Sequence, residues 1–281
     1  MPTYLITGAS TGLGAALAHA ALAAGHTVLA TARNPARAAE AQPTLTSSPS
    51  LTWLPLDVST ADATATLAAA LAAHPPVDVV INNAGYALLG SIEDMSLEEV
   101  HAQFATNVYG VISVLKAVLP PMRARRTGTV VNISSSAGVD GLAACGVYAG
   151  TKFALEGMSE ALSRELAPFN IRVLLVEPGT LRTSFWSAYT EPAAGMDPGY
   201  KDTPLETLLT KFKANRESGA AGSDPDKAAQ RIVELVDGTG FGQGKQGWLR
   251  VPLGEDCFHR FQAKIDLLQK NLEEMREVAL S

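Results

Sequence analysis

A tyrosine and a lysine four positions apart, Tyr148 and Lys152, are the residues of this sequence best suited to proton transfer. On a helix, side chains at this spacing lie on one face, one turn apart. A phenol has an ordinary pKa of about 10, and a neighbouring ammonium favours its ionised form. The pair therefore predicts a tyrosine that exchanges a proton near neutral pH. The same spacing also arises by chance, and the tyrosine is then half-buried beside a solvated lysine.

The pair closes a stretch, residues 134–152, that begins with three serines and continues through a glycine-broken loop. Cys145 lies three residues before the tyrosine and is interpreted as a small packing residue, with a redox role as the alternative. Together with Cys257 it forms neither a disulfide framework nor a metal-ligand spacing, so no metal is expected.

Composition narrows the class of protein. The chain has 281 residues, 47% of them hydrophobic and 18% charged, with a net charge of −6 and a pI near 5.4. Nucleic acids and anionic membranes favour basic surfaces, so neither is expected as a partner. The chain opens on an apolar strand, and neither a leader peptide nor an apolar run long enough to span a bilayer is expected. A cytoplasmic protein is expected.

Apolar runs alternate with helical segments along the whole chain. The runs are continuous rather than alternating, which is typical of a parallel sheet covered on both faces. We expect one domain, residues 1–281, with an α/β fold: a doubly wound, Rossmann-type parallel sheet of about seven strands with helices on both faces. The predicted strands are 3–7, 26–33, 51–58, 77–85, 128–135, 170–179 and 246–254. One helix is predicted to follow the first strand and to end at about residue 24, and the other predicted helices are 36–41, 61–73, 96–119 and 146–167.

Two segments depart from this alternation. Residues 183–224 carry several aromatic side chains among prolines and glycines, and predict a substrate lid at the carboxyl edge of the sheet or else an irregular excursion with its own small core. Residues 255–279 predict a helical extension with an apolar stripe, which packs on its own domain or forms a subunit contact. The lid aromatics are Phe185, Trp186, Tyr189, Tyr200 and Phe212, with Met196, and the stripe consists of Phe258, Phe261, Ile265, Leu268, Leu272 and Met275.

A glycine-rich loop, TGASTGLG, follows the first strand and opens a helix, which is the context of a phosphate-binding loop. Gly8 permits a tight turn, Gly12 lets the backbone approach a pyrophosphate, and Gly14 allows close helix packing. The N–H groups at the start of the helix would hold the anion.

The end of the second strand predicts the cofactor. Dinucleotide folds that use NAD place an acid there for the ribose 2′-hydroxyl, whereas this chain has Arg33 followed by Asn34. A guanidinium suits a 2′-phosphate through bidentate, charge-assisted hydrogen bonds. NADP(H) is therefore favoured, unless Arg33 is an ordinary surface arginine.

Four motifs occur in order: TGASTGLG, the NNAG of residues 82–85, the serine cluster with Tyr148 and Lys152, and the EPG of residues 177–179. Together they resemble the short-chain dehydrogenase/reductase family over residues 3–254. The end of the second strand, the EPGTLRT run and the PLGEDCFHRFQAKIDLL tail are similar to a subgroup related to 17β-hydroxysteroid dehydrogenases and carbonyl reductases. One position departs from the NADP-preferring members, which often carry a base where this chain has Thr11.

The resemblance implies a role for individual residues. Tyr148 would be the catalytic acid/base, Lys152 would hold the nicotinamide ribose and lower the tyrosine pKa, Ser135 would be the catalytic serine, and Asn107 would support a water and the lysine. The implied cofactor-binding residues are Gly8, Ser10, Thr11, Gly12, Leu13, Gly14, Arg33, Asn34, Asp57, Val58, Asn83, Ala84, Gly85, Tyr148, Lys152, Pro178, Gly179 and Thr183.

The implied activity is the NADP(H)-dependent interconversion of a carbonyl and a secondary alcohol on a moderately sized, apolar small molecule. A protein that senses the dinucleotide without turnover, or an epimerase or dehydratase on the same fold, are the alternatives. Members of the family often form homo-dimers or homo-tetramers through the long helices, here 96–119 and 146–167, and a homo-oligomer is expected.

Overall fold

The structure is a computed structural model that describes residues 1–218 and 222–281, without the side chains of Trp186 and Ser187. The predicted lid at 183–224 therefore includes three residues, and one predicted aromatic side chain, that lie outside the described part. Within the described residues, seven strands form one parallel sheet in the order β3-β2-β1-β4-β5-β6-β7. They are β1 (Thr3–Ile6), β2 (Thr27–Ala32), β3 (Leu51–Pro55), β4 (Val79–Asn82), β5 (Gly128–Ile133), β6 (Ile171–Pro178) and β7 (Arg250–Leu253).

Helices connect the strands and cover both faces of the sheet. The predicted α/β, doubly wound architecture is confirmed. In the described part of the chain the helices are α1 (Gly12–Ala23), α2 (Pro35–Ala41), α3 (Pro43–Thr46), α4 (Ala63–Leu71), α5 (Leu97–Phe104), α6 (Gly110–Arg125), α7 (Gly146–Leu166), α8 (Phe185–Ala188), α9 (Pro204–Ser218), α10 (Pro225–Asp237), α11 (Glu255–Glu274) and α12 (Arg276–Leu280). Helix α10 was not predicted, although Asp224 caps it and Pro225 occupies its first turn.

Two apolar layers hold the helices on the sheet. One packs α1 and α10 against the strands, with Leu17 and Ile232 fully buried. The other packs α4, α6 and α7 on the opposite face, around Leu67, Val114 and Leu155. Both faces of each central strand are thus in a core, which explains why the strand sequences are continuously apolar.

One expectation about apolar runs is wrong. The continuous helical segment Leu97–Arg125 is, by its 29 residues and its composition, long and apolar enough to cross a membrane. Much of its apolar content serves the second core layer, since 44% of its most apolar window is buried and Val118 and Met122 pack under the sheet. The segment consists of α5, a π-helical turn over Ala105–Tyr109, and α6.

Residues 183–224, as far as they are described, contain helices. A short helix, α8, and a four-turn helix, α9, pack on the carboxyl edge of the sheet in an apolar cluster that includes Tyr148, Tyr189 and Phe212. The cluster joins the lid to α7, so its aromatic residues also form a wall over the sheet.

The C-terminal extension, predicted either to pack on its own domain or to form a subunit contact, is largely exposed in this structure. Of the residues in α11, Cys257 is the buried one, whereas Phe258, Ile265 and Leu272 are more than half exposed. The first two turns contact the sheet edge, and the rest of the helix leaves its apolar stripe accessible.

Candidate active site

A cavity of about 1220 Å³ opens at the carboxyl edge of the sheet, where parallel strands bring together residues far apart in sequence. Most of the predicted site residues line it: Gly8, Ser10, Thr11, Gly12, Leu13, Gly14, Arg33, Asp57, Val58, Asn83, Ala84, Gly85, Ser135, Tyr148, Lys152, Pro178, Gly179 and Thr183. Two predicted residues, Asn34 and Asn107, are not among the lining residues.

The glycine loop has the geometry of an anion cradle. Gly8 and Gly12 adopt left-handed backbone, with φ of +64° and +55°, which side chains rarely accept. A Cβ at Gly14 would collide with the carbonyl oxygen of Gly8, so this position requires glycine for helix packing. Thr11 precedes α1 without a side-chain cap in the described structure, which leaves the helix start available to a ligand.

The NNAG turn fixes the cradle from the neighbouring strand. The Asn83 amide group donates to the carbonyl oxygens of Thr7 and Gly8, at 2.9 and 3.2 Å. The Thr7 hydroxyl accepts hydrogen bonds from the backbone N–H groups of Asn83 and Ala84, both at 3.0 Å. The glycine loop and the NNAG turn are therefore one hydrogen-bonded unit, in which the Asn83 side chain binds the backbone of the glycine loop.

Arg33 and Asp57 occupy the far end of the cavity, after β2 and β3. The Ser59 hydroxyl, 2.6 Å from the Asp57 carboxylate, lowers the pKa of that carboxyl, and Arg33 lowers it further. The Arg33 side chain is exposed. Asn34 instead accepts a hydrogen bond of 3.0 Å from the Arg37 N–H and caps α2, so its side chain has a local structural task.

Ser135 and Tyr148 face one another across the loop between β5 and α7. Tyr148 is 9% exposed, and burial raises its pKa to about 12, although a hydrogen bond with Ser135 and the charge of Arg260 lower it. The direction is opposite to the lowering that the Tyr148–Lys152 spacing suggested. The reason is that the lid and α7 remove the phenol from water, and desolvation outweighs the neighbouring charges.

Lys152 lies one turn further along α7, as the spacing predicted, and is 7% exposed. Its ammonium is 5.8 Å from the centre of the Tyr148 ring and donates a 2.8 Å hydrogen bond to the carbonyl oxygen of Ile133. Burial lowers the pKa of Lys152 to about 8. The lysine is therefore a buried cation beside the phenol rather than the solvated one of the chance interpretation.

Asn107 lies in the π-helical turn and is buried. Its amide group donates to the Tyr86 carbonyl oxygen at 2.9 Å and to the Thr151 hydroxyl at 3.1 Å, and its oxygen accepts from the Tyr86 N–H at 3.1 Å. The Thr151 hydroxyl in turn donates to the carbonyl oxygen of Tyr148. Asn107 thus ties the helix of the tyrosine to the chain after the NNAG turn.

The end of β6 closes the cavity next to the glycine loop. A Cβ at Gly12 would contact Thr183 at 3.4 Å, so these two segments approach each other closely. The Asp256 carboxylate of α11 accepts a 2.7 Å hydrogen bond from the Thr180 N–H, and a Cβ at Gly179 would collide with it. The glycine of the EPG motif is required here because an acid from the C-terminal helix packs on the backbone.

Several lining residues were not predicted. Asp256 and Arg260 come from α11, within the tail that carries the subgroup resemblance, but that resemblance assigned them no role and their partners lie more than seventy residues away. The lid aromatics were expected, but not the aliphatic and polar residues beside them. The additional residues that line the cavity include Leu142, Cys145, Leu208, Lys211 and Asn215.

The site therefore combines two functions in one cavity. The left-handed glycines, the open start of α1 and Arg33 fit a phosphate-bearing dinucleotide, and the Lys152 ammonium lines the same cavity as a hydrogen-bond donor. At the other end, a serine and a tyrosine with exchangeable protons face an apolar wall. Among the described residues, no group of histidine, cysteine or acidic side chains could hold a metal ion.

Known proteins share this architecture. The family model described as short chain dehydrogenase matches residues 2–194. Among curated proteins, the chain is 50% identical to Oxidoreductase claN of Passalora fulva over 192 residues, which is 68% of this chain and 87% of that protein. It is also 36% identical to a 3-ketodihydrosphingosine reductase of Bacteroides thetaiotaomicron, covering 83% of this chain and 82% of the reductase.

Solved structures agree with these matches. A short-chain dehydrogenase from Streptomyces avermitilis superposes with a TM-score of 0.84 at 35% identity, over 99% of this chain and 98% of that one. A serine dehydrogenase complexed with NADP+ superposes with a TM-score of 0.69 at 26% identity, over 83% and 88% of the two chains. The chain belongs to the short-chain dehydrogenase/reductase family and is an oxidoreductase of that family.

Proposed function

We propose that the protein interconverts a carbonyl and a secondary alcohol with NADP(H), on a moderately sized apolar substrate. The observation that carries the proposal is the meeting of Ser135, Tyr148 and Lys152 on one wall of the cavity that also contains the glycine cradle. A protein that only senses a dinucleotide has no need for this buried donor pair, and the cavity has room for a second molecule beside the phenol.

The chain's own residues supply binding, orientation and proton transfer. Bound NADP(H) would supply the hydride, with its pyrophosphate on the glycine loop and its sugar near Lys152. In the reductive direction, Ser135 and Tyr148 donate hydrogen bonds to the carbonyl oxygen as negative charge develops on it. Tyr148 then gives its proton to the alkoxide. In the oxidative direction the same phenol, as phenolate, takes the proton from the alcohol.

Burial favours the reductive direction. The pKa of Tyr148, raised to about 12, keeps the phenol protonated at neutral pH, which is the form needed to donate to a carbonyl oxygen. The relative named a 3-ketodihydrosphingosine reductase also supports a reductase.

Arg33 is the basis for NADP(H) over NAD(H). It is exposed at the cavity wall after β2, where a guanidinium can bind a 2′-phosphate, and Thr11 contributes no second positive charge. The NADP+ complex of the related serine dehydrogenase supports this preference.

The wall opposite Tyr148 is the basis for an apolar substrate. Phe185 packs against the Tyr148 ring, with 6.0 Å between the ring centres, and Leu142, Leu208 and Phe212 extend the surface. We propose that residues 183–224, as far as they are described, act as the substrate lid. Polar groups on α9, Lys211 and Asn215, lie at the same wall and would contact a polar end of the substrate.

The test is NADPH oxidation with a panel of ketones, by the wild type and by Tyr148→Phe. The substitution removes the hydroxyl and keeps the ring that packs on Phe185, so the fold should survive while turnover falls about 10²–10⁴-fold. Tyr109→Phe is the matched control, because Tyr109 is 56% exposed and outside the cavity. Near wild-type turnover by Tyr148→Phe would overturn the assignment.

We also propose that the protein is a cytoplasmic homo-oligomer. Tyr109 and Ile112 at the π-turn and the start of α6, and Phe153 on α7, are large apolar side chains that the described chain leaves 38–56% exposed. Sedimentation measurements at several concentrations would test the assembly.

A further inference from the structure

The first turns of α11 hold both loops that carry the proposed site. Asp256 accepts a hydrogen bond from the Thr180 N–H, and the Cys257 thiol donates to the carbonyl oxygen of Glu177 at 2.9 Å, after and within β6. Arg260, one turn later, reaches the loop after β5. The C-terminal helix, which lies outside the four motifs of the catalytic and cofactor-binding residues, therefore holds the loops after β5 and β6.

Arg260 makes the most specific of these contacts. Its Nε donates to the Asp140 carboxylate at 3.0 Å, one terminal nitrogen donates to the Ser136 hydroxyl at 2.8 Å, and the other donates to the Asp140 carbonyl oxygen at 2.8 Å. Three different donors of one planar fork are thus used on a single loop. A lysine has no such fork and could not reproduce this geometry.

The loop that Arg260 holds begins at Ser135. The Ser135 hydroxyl accepts from the Ala137 N–H at 3.1 Å, and the Gly138 N–H donates to the Ser135 carbonyl oxygen at 2.8 Å, forming a single 3₁₀ turn. Ser136, inside that turn, is 4% exposed, and its hydroxyl is one of the atoms that Arg260 grips. The orientation of Ser135 therefore depends on a turn whose outer side is fixed by α11.

We propose that Arg260 is a positioning residue for this active site, holding the 136–140 turn so that the Ser135 hydroxyl faces Tyr148. The inference rests on the proposed function, because it assigns Ser135 and Tyr148 to the reaction. Arg260 also acts through its charge, which lowers the pKa of Tyr148 and of Cys145 against the effect of burial. Its two effects, geometry and charge, are separable by substitution.

The experiment compares Arg260→Met, which removes charge and fork, with Arg260→Lys, which keeps the charge alone. Lys270→Met is the matched control, since Lys270 lies on the same helix, is exposed, and does not line the cavity. The readouts are kcat and KM for a ketone with NADPH, the pH profile of alcohol oxidation with NADP+, and hydrogen exchange of residues 136–145.

We expect Arg260→Met to lower kcat about 10–100-fold, because small misplacements of reacting groups cost rates of this order. The KM for NADPH should stay within about twofold, since the hydrogen bonds of Arg260 go to Ser136 and Asp140 and not to the glycine loop. In the pH profile of alcohol oxidation, the rise in rate that reports ionisation of Tyr148 should move to higher pH. The backbone amides of residues 136–145 should exchange their hydrogens faster. Arg260→Lys should keep this rise at the wild-type pH while losing kcat, and Lys270→Met should match the wild type throughout.

The proposal is overturned if Arg260→Met keeps the pH profile and the exchange rates of the wild type, whatever its kcat. Should Arg260→Met fail to fold, Asp140→Asn removes the carboxylate partner at nearly constant shape and must produce the same loss of kcat and faster exchange. A wild-type protein that reduces no carbonyl substrate would refute the proposed function instead. Unchanged hydrogen exchange in Arg260→Met would still refute the proposal that Arg260 holds the 136–140 turn.

Discussion

The ammonium of Lys152 donates a 2.8 Å hydrogen bond to the carbonyl oxygen of Ile133, two residues before Ser135. This contact joins α7, which carries Tyr148, to the end of β5, which leads to Ser135. Lys152 therefore helps to fix the position of the tyrosine relative to the serine. The hydrogen bond also offsets part of the cost of burying the ammonium, because the carbonyl oxygen replaces one of the water molecules lost on burial.

The buried lysine predicts the pH dependence of carbonyl reduction. Burial lowers the pKa of Lys152 to about 8 while it raises that of Tyr148 to about 12. As pH rises through about 8 the ammonium loses its proton while the phenol remains neutral. Steady-state kcat/KM for reduction should therefore be level below this pH and fall above it.

Lys152→Met tests whether Lys152 causes this fall of kcat/KM above about pH 8. The variant lacks a titrating group, so we expect activity reduced by about 10²–10⁴-fold and no fall near pH 8. A fall at unchanged pH in the variant would assign it to another residue. Lys116→Met, on α6 and outside the cavity lining, is the control.

Arg33 predicts the choice between NADPH and NADH. Arg33→Ala should raise the KM for NADPH about 10–100-fold, the effect of losing a charge-assisted contact, and leave the KM for NADH nearly unchanged. Arg33→Asp should favour NADH further, because a carboxylate accepts a hydrogen bond from a ribose hydroxyl and repels a phosphate.

Measured KM values for the two cofactors check this, with Arg276→Ala as the control because Arg276 lies on the exposed helix α12. Equal effects of Arg33→Ala on both cofactors would contradict a 2′-phosphate contact.

Leu208 on α9 predicts substrate size preference. It lines the cavity and packs against the cluster that contains Tyr148, without being fully buried. Leu208→Ala removes about 2 kcal/mol of apolar contact, so the KM for a bulky apolar ketone should rise about 10-fold or more while that for a small aldehyde changes little.

Leu268→Ala, an equivalent change at an exposed position of α11, should leave both values unchanged. Equal losses with small and bulky substrates would argue against α9 as part of the substrate wall.

Glu177 predicts a loss of stability with rising pH. Among the described residues, Arg250 is shared by three carboxylates, those of Glu156, Glu160 and Glu177, and Glu177 is fully buried. Burial raises the pKa of Glu177 from an ordinary value of 4.5 to about 8. A group whose folded pKa is raised contributes stability that is complete below pH 4.5 and is lost as pH rises through about 8.

Denaturant unfolding at pH 5 and pH 8 measures this. The wild type should lose on the order of a few kcal/mol of unfolding free energy over the interval, and Glu177→Gln should lose much less. Equal losses in both proteins would place the titrating group elsewhere.

Much of the site follows from local sequence. The Tyr148–Lys152 spacing, the left-handed glycines of the first loop and the continuous apolar strands act over one turn or one strand, where geometry is fixed by the helix and sheet periods. The same periods place Pro178 and Asn83 at one edge of the sheet, because the carboxyl ends of parallel strands coincide. These features made the fold predictable and placed most of the predicted site residues on the cavity lining.

Other features depend on which distant segments pack together. The raised pKa of Tyr148 results from its burial in a cluster with residues of α9 such as Phe212, and no spacing within α7 encodes it. The placement of Asp256 and Arg260 on the β6 and β5 loops depends on the position of α11, 76 to 124 residues away. From local geometry the sequence alone indicated the proposed proton donor, the glycine cradle and the sheet. The tertiary structure decided how strongly the donor holds its proton and which residues brace it, since desolvation and long-range hydrogen bonds arise only when the chain is folded.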